Sequence, residues 1–414
     1  MKSVAVTGVT LSGNMGGAAM LAAVLQNLAE LENPPQVNLL SVSPRQDRDA
    51  GDRLSGRVDI INSHYVLLLL VYMPLCVLLY PVLRMKVVRR LLCRIPYFAA
   101  LQDASVVIDL AGIAFVDGRG LPLLTYNVAC CLPASLMGKP VVKMAQALGP
   151  FDKTLNRFAA KLSLRRCDTV IARGHVTSGY LDGLGISHET RADVAFAMSV
   201  SLADRAAAAR RMAQFRRIGK KLLLISPSEV ARRLAEASNI EFVSELSRLI
   251  IELDKQGFSI VLLPHSYGRG SSKNNDLDLV RLIHSSVPTG VAGIVDDAED
   301  PKLLRALIGE ADFFIGCRFH SVVASLSMAV PTVTIGWSHK YEEMTEPFGA
   351  NRFVVPIEQF SADAVQKRLT ELTADTETHR SRLREAAEVA KTDAEANFIR
   401  VRQLLGDAVA GKSC

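Results

Sequence analysis

The sequence predicts an α/β protein built from two Rossmann-like, doubly wound domains, each a parallel sheet covered by helices on both faces. Three observations predict it. Short β-branched runs alternate with longer amphipathic segments along the chain, the pattern of successive βαβ units. The alternation runs twice, with an Ala- and Arg-rich stretch lacking any strand signal between the two series. The length of 414 residues is a soft prior for two or three domains.

In order, strands are expected at 3–9, 36–42, 105–110, 140–145 and 169–172, with helices at 17–31, 121–137 and 153–164. The second series expects strands at 221–226, 259–263, 291–295, 312–316 and 332–335. Its helices are expected at 241–256, 275–286, 301–309 and 320–329. The boundaries follow. An N-terminal domain takes 1–196, with an insertion at 60–100, and a linker with a connecting helix takes 197–220. A C-terminal domain takes 221–360, and charged helices over 361–414 pack back onto the first domain. Two such domains facing each other enclose a cleft. In open α/β sheets ligands bind at the carboxyl ends of the strands, so the residues just after each strand are the informative ones.

Composition excludes several classes. Apolar residues make up 49% of the chain and charged ones 22%, which rules out a disordered or collagen-like protein. The net charge of +6, from 48 Lys and Arg against 42 Asp and Glu, is modest. No basic tract interleaved with aromatics points to nucleic acid. Seven cysteines, with no CxxC or Cys/His spacing, fit a reducing compartment and give no metal site. The first residues are broken by Gly8, Gly13, Gly16 and Gly17, so no apolar signal-peptide core is read there.

Mean hydropathy is +0.20, high for a globular enzyme, and the excess has an address. Residues 66–83 read VLLLLVYMPLCVLLYPVL without a charge, and 84–94 carry Arg84, Lys86, Arg89, Arg90 and Arg94 without an acid. A spanning helix needs ~20 apolar residues, and Pro74 and Pro81 interrupt this run. The expectation is an interfacial segment, with its basic flank facing anionic headgroups. A buried helix pair and a true span are the alternatives. The expected location is cytoplasmic, peripheral to the inner face of the cell membrane, through 66–94.

The strongest chemical signal is Gly316-Cys317-Arg318-Phe319-His320, directly after a strand and opening a helix. Free helix N–H groups favour an anion there. Arg318 suits a carboxylate or phosphate, and His320 suits proton transfer near neutral pH. The next strand ends in Gly336-Trp337-Ser338-His339-Lys340, and an earlier one in Pro264-His265-Ser266-Tyr267-Gly268-Arg269-Gly270. Three corners carrying cations predict a small, multiply charged anionic ligand. In the first domain Gly13-Asn14-Met15-Gly16-Gly17 opens a helix, Asp117 follows one strand, and Gln146 with Gly149-Pro150-Phe151 follows another. Asp117 is a candidate general base, with a helix cap as the alternative.

These residues in this order resemble the polysaccharide pyruvyl transferase family. The resemblance rests on Gly13-Asn14-x-Gly16, Gly112 with Asp117, Gln146-Ala147-x-Gly149-Pro150-Phe151 and Arg173. It continues through Ser178-x-x-Leu181-x-x-Leu184-Gly185-Ile186, Asp193-x-Ala195-Phe196 and Pro264-His265. It ends on Gly316-x-Arg318-x-His320 and Pro331-x-x-x-x-Gly336-x-x-x-Lys340, its most specific part. The resemblance spans about 3–350. It implies a glycosyltransferase-B-like fold and transfer of a carboxyethylidene ketal from phosphoenolpyruvate, the donor substrate, to a saccharide. It implies no metal and no further cofactor. In the first domain the pattern departs at Gly17 and Ala18, at Ala111-Gly112, and at Gly174 after Arg173.

On that resemblance Arg318, Lys340, His265, Arg173 and His339 are expected to bind the donor. His320 is expected to act as acid and Asp117 as base, with Asn14 and Gln146 on the acceptor side. The acceptor would be a cell-envelope polysaccharide, or a lipid-linked glycan if 66–94 meets the membrane. Two other classes stay open. One is a nucleotide-sugar glycosyltransferase, for which Asp296, Asp297 and Glu299 could hold a ribose. The other is a non-catalytic membrane-bound scaffold.

Overall fold

A computed structural model describes residues 2–51, 58–83, 85–268 and 274–406. Arg84, Arg269, Gly270 and the end of the predicted last helix lie outside the described residues. The chain forms two compact units: Met1–Ser12, Ala23–Val194 and Asp393–Cys414 in the first, Gly13–Ala22 and Ala195–Thr392 in the second.

The first unit holds β1 (Ser3–Thr7), β2 (Gln36–Ser41), β3 (Val58–Asn62), β4 (Ala104–Asp109), β5 (Ile113–Ala114), β6 (Val141–Leu148), β7 (Thr169–Arg173) and β8 (Glu189–Arg191). They run in the order β3-β2-β1-β4-β6-β7-β8, with β5 beside β6, and every pair is parallel. The second holds β9 (Lys221–Ser226), β10 (Phe258–Leu262), β11 (Ala292–Ile294), β12 (Phe313–Gly316), β13 (Thr332–Gly336) and β14 (Val354–Pro356). Their order is β11-β10-β9-β12-β13-β14, again all parallel. Both sheets are doubly wound and reverse strand order after their first strand, at β1/β4 and β9/β12. The central strands are mostly apolar because helices cover both faces; every residue of β1 and β10 is buried.

The predicted strands are present within a few residues of their expected ends. The edge strands β3, β8 and β14, and the two-residue β5, were not predicted. They are short or carry exposed polar residues, so their alternation is weak. The stretch expected as linker contains the helix Leu202–Ala213, capped by a reciprocal Ser201–Asp204 box. The charged helices expected over 361–414 are, among the described residues, Ala362–Thr373, Thr376–Ala396 and Ile399–Leu404. In the first unit Asn397 holds Ala145 N–H at 3.1 Å and donates to Ala192 O at 3.1 Å.

The apolar insertion is broken helix. A turn at Tyr65–Leu67 runs into a π-helical turn Leu68–Tyr72, an α-helix Met73–Leu78 and a 3₁₀ turn Tyr80–Val82. The helices Lys86–Leu92 and Pro96–Asp103 follow. Pro74 does not end the helical path, because it sits in the first turn after the π segment, where a missing N–H is tolerated. One side of the insertion is core: Leu68, Tyr72, Cys76, Leu83 and Leu92 pack with Tyr97, Phe98 and Leu101. Tyr72 stacks on Tyr97 with ring centroids 4.4 Å apart. Among the described residues no helix is long and apolar enough to cross a membrane.

Candidate functional site

In the second unit β10, β9, β12 and β13 lie side by side and parallel, so their carboxyl ends form one edge. Each end passes into a polar corner: Ser226 ends β9, His265 follows β10, Arg318 and His320 follow β12, and Trp337 to Lys340 follow β13. Cys317 N–H donates to Ser226 O at 3.0 Å, which ties the corner to the point where strand order reverses. Several polar atoms gathered at this edge are buried with no hydrogen-bond partner among the described residues. They are Ser226 Oγ, both ring nitrogens of His265, Trp337 Nε1 and Ser338 Oγ. An unsatisfied buried group costs about 1–3 kcal/mol, so a cluster of them at one strand edge is a candidate ligand site.

Arg318 is held by an acid from another helix. Its Nε and Nη2 donate to Asp276 Oδ2 and Oδ1, both at 2.7 Å. Asp276 is fully buried, opens the helix Asp276–Ser285, and also accepts Glu229 N–H at 2.9 Å. Burial pushes its carboxyl up, yet a guanidinium always keeps its proton, and the bidentate fork fixes an ionised pair. With Nε and Nη2 taken, Nη1 makes no hydrogen bond among the described residues. It is the donor edge left for a ligand. Arg318 is also the N-cap residue of the helix Phe319–Ser327, which carries no acid in its first turn, so the helix dipole adds to the same positive corner.

His320 lies against the start of the helix Met15–Ala29. A Cβ built on Gly16 would stand 2.5 Å from its Cγ, so only glycine admits the ring. Residues 13–15 are fixed there by backbone bonds: Tyr267 N–H to Gly13 O at 2.8 Å and Met15 N–H to His265 O at 3.3 Å. Asn14 forms an isolated bridge with Ser266, and its Oδ1 accepts Gly16 N–H at 3.1 Å. Predicted on the acceptor side, Asn14 groups instead with the second unit, because its backbone pairs with the corner after β10. His265 is 4% exposed. Burial, then the charges of His320, Arg318 and Arg305, hold its pKa well below 6.5. Expected as a cation, it is a neutral imidazole that can donate and accept.

Lys340 begins the helix Lys340–Thr345, with its Nζ 4.0 Å from the Trp337 ring centroid. The cation is aimed by an aromatic face. His339 is exposed and gives the helix no side-chain cap. Two of the acids considered for a ribose are engaged with arginines. Asp296 takes Arg281 Nη2 at 2.8 Å, and Asp297 pairs with Arg211. Among the described residues no three His, Cys, Asp or Glu side chains gather to hold a metal ion.

The remaining predicted residues lie in the first unit. Asp117, expected as a base or a cap, braces the turn that leads into the helix Thr154–Leu164. Its Oδ2 accepts Asp152 and Lys153 N–H at 2.7 and 3.3 Å, and its Oδ1 accepts Asn156 Nδ2 at 2.9 Å, just before the helix Thr154–Leu164. Arg173 ends β7 in the first unit and pairs with buried Asp193 at 2.6 Å. Gln146 is buried and donates to Asp109 O at 2.8 Å.

Sequence reading missed Asp109 itself. It is fully buried at the end of β4, ion-paired with equally buried Lys143 on β6. Burial opposes its charge, but Lys143, Ala111 N–H and Cys131 bring its pKa below the usual carboxylate range. Asp276 was missed too. An acid in the first turn of a helix, here beside Asp278, carries no signal until its partner is known. A cleft of about 470 Å³ also opens beside Pro44, Arg45, Asn62 and His64, after β2 and β3.

A family model described as polysaccharide pyruvyl transferase matches residues 14–339. Amylovoran biosynthesis protein AmsJ of Erwinia amylovora is 25% identical over 248 residues, 58% of this chain and 58% of that protein. The match therefore covers less than two thirds of the relative's length. Among solved structures, a UDP-GlcNAc 2-epimerase from Neisseria meningitidis bound to UDP-GlcNAc superposes with a TM-score of 0.60 at 13% identity, over 98% of this chain and 100% of that one. S. aureus MnaA with UDP gives 0.60 at 12%, over 100% and 99%. UGT2 of Phytolacca americana gives 0.58 at 11%, over 98% and 100%. At such identities the likeness shows the fold, that of glycosyltransferase-B-like enzymes.

Proposed function

The chain belongs to the polysaccharide pyruvyl transferase family, and from that premise we propose that it moves a pyruvyl group from phosphoenolpyruvate onto a sugar as a carboxyethylidene ketal. The observation that carries the reading is the edge at β10-β9-β12-β13. There an Arg318 fork anchored on Asp276, the Phe319–Ser327 helix start, Lys340 and a buried neutral His265 converge. Phosphoenolpyruvate carries a carboxylate and a phosphate on three carbons. A corner rich in cations and orphaned donors suits it. The relative named for amylovoran biosynthesis supports a role in exopolysaccharide assembly. The acceptor is then a cell-envelope polysaccharide or a lipid-linked glycan.

In this reading Arg318 Nη1, the helix start and Lys340 position the donor and stabilise its charge. His320, seated on Gly16, delivers a proton to the donor methylene, which becomes the methyl group. One sugar hydroxyl bonds to the central carbon. A second hydroxyl then displaces the phosphate and closes the ketal. Of the two hydroxyl protons lost, one balances the new methyl and the other leaves with phosphate. His265 contributes hydrogen bonds without charge.

The test pairs binding with turnover. Phosphoenolpyruvate should raise the melting temperature, and phosphate release should depend on added glycan, which gains a carboxyethylidene group by mass. Stabilisation by a UDP-sugar instead, with no phosphate released from phosphoenolpyruvate on any glycan, ends the proposal.

A further inference from the structure

The insertion after β3 turns one side to the core and the other to solvent. Val66, Leu70, Val77 and Leu78 are exposed, Leu70 to 72% and Leu78 to 76%. Spacings of four, seven and eight along one helical path put them on the side away from Leu68, Tyr72 and Cys76. Tyr80, Met85, Val87 and Leu91 continue the exposure, Val87 to 65%. Lone exposed apolar residues need no explanation, but nine within one insertion, Val71 among them, mark an interaction surface.

Charge identifies the partner. No acid occurs between Asp59 and Asp103, while Lys86, Arg90 and Arg94 are exposed among the apolar side chains. Arg89 is spent on the body of the unit, donating to Leu83 O at 2.7 Å and Met137 O at 3.3 Å. A two-fold contact between copies would set this cationic patch against itself, which like-charge repulsion opposes. A bilayer with anionic headgroups meets both halves of the surface, apolar side chains below and cations at headgroup level. We propose that the exposed face of 65–94 docks the protein onto an anionic lipid surface, lying in the interface without spanning it. This docking does not depend on the identity of the donor.

Flotation of the purified full chain on vesicles tests it. Phosphatidylglycerol–phosphatidylethanolamine vesicles should carry the protein up, and pure phosphatidylcholine vesicles at least tenfold less. Each exposed cation is worth roughly fivefold in membrane affinity. Lys86→Gln/Arg90→Gln/Arg94→Gln should therefore weaken flotation on the order of 10²-fold. Leu70→Glu/Leu78→Glu, at exposed positions, should keep the parent's melting temperature and lose flotation at least tenfold. No flotation on anionic vesicles overturns the proposal, as does flotation unchanged by both variants. A dimer in light scattering that Leu70→Glu/Leu78→Glu dissolves, with no vesicle binding by the parent, reassigns the face to self-association and overturns it equally.

Discussion

The imidazole of His320 rests on the backbone of Gly16, 304 residues away in sequence, with no room between them for a methyl group. The glycine is needed for space at this position, since its φ is not among the positive ones. Gly16→Ala should fold, because alanine suits a helix start, but it must push the ring aside. A displacement near 1 Å costs about 10²-fold in rate. Phosphate release from phosphoenolpyruvate and glycan should fall by that order while the circular dichroism is kept. Turnover within threefold of the parent would show that His320 is not the acid.

Arg318 depends on Asp276 for both position and charge balance. Asp276→Asn leaves the guanidinium buried and half-paired, and breaking such a pair costs about 3–5 kcal/mol. The expected kinetic signature is a KM for phosphoenolpyruvate raised at least tenfold, with a smaller change in kcat. A variant that loses stability but binds phosphoenolpyruvate like the parent would confine Asp276 to the fold.

His265 makes stability depend on acidity. Its folded-state pKa lies well below 6.5. Above pH 6.5 neither state holds the extra proton. Below it, the unfolded ring takes up a proton that the buried ring refuses, and the folded state weakens by up to about 1.4 kcal/mol per pH unit. His379 is shifted the same way, by burial and then Arg352, and adds its own share. Urea midpoints from pH 7 to pH 5 should fall less steeply in His265→Gln than in the parent. Equal slopes would contradict the burial of an uncharged ring.

Asp117 separates a cap from a base. Its carboxylate is occupied by two backbone N–H groups and Asn156, so Asp117→Ala should cost about 0.5–2 kcal/mol, as lost caps do. Turnover should stay within threefold once temperature is set below the lowered melting point. A fall beyond 10²-fold would return the residue to the chemistry.

The cationic corner after β12 and β13 was legible because Arg318, His320 and Lys340 follow apolar strands within five residues, a local pattern. What the corner leans on was not. Asp276 is 42 residues from Arg318 and His320 is far from Gly16, and no spacing rule joins such pairs. Lys143 and Asp109 sit in runs that read as ordinary buried strand, and their mutual neutralisation becomes visible only when β4 and β6 are neighbours. The apolar insertion was legible by composition, and its division into a buried and an exposed side was not. Of the two prolines, Pro74 is carried within the helical path after the π turn, while the helix ends at Leu78, ahead of Pro81.

That π turn takes up one residue without turning the segment that follows. An α-helix advances about 100° per residue, and a π turn closes on the fifth residue rather than the fourth. Five residues of π turn therefore sweep about the same angle, roughly 400°, as four of α-helix. Deleting one residue from Leu68–Tyr72 would restore ordinary helix and leave Met73–Leu78 near its present phase, with Cys76 still on the core and Leu78 outside. The wide turn is a place where the insertion can change length while its two sides keep their facing.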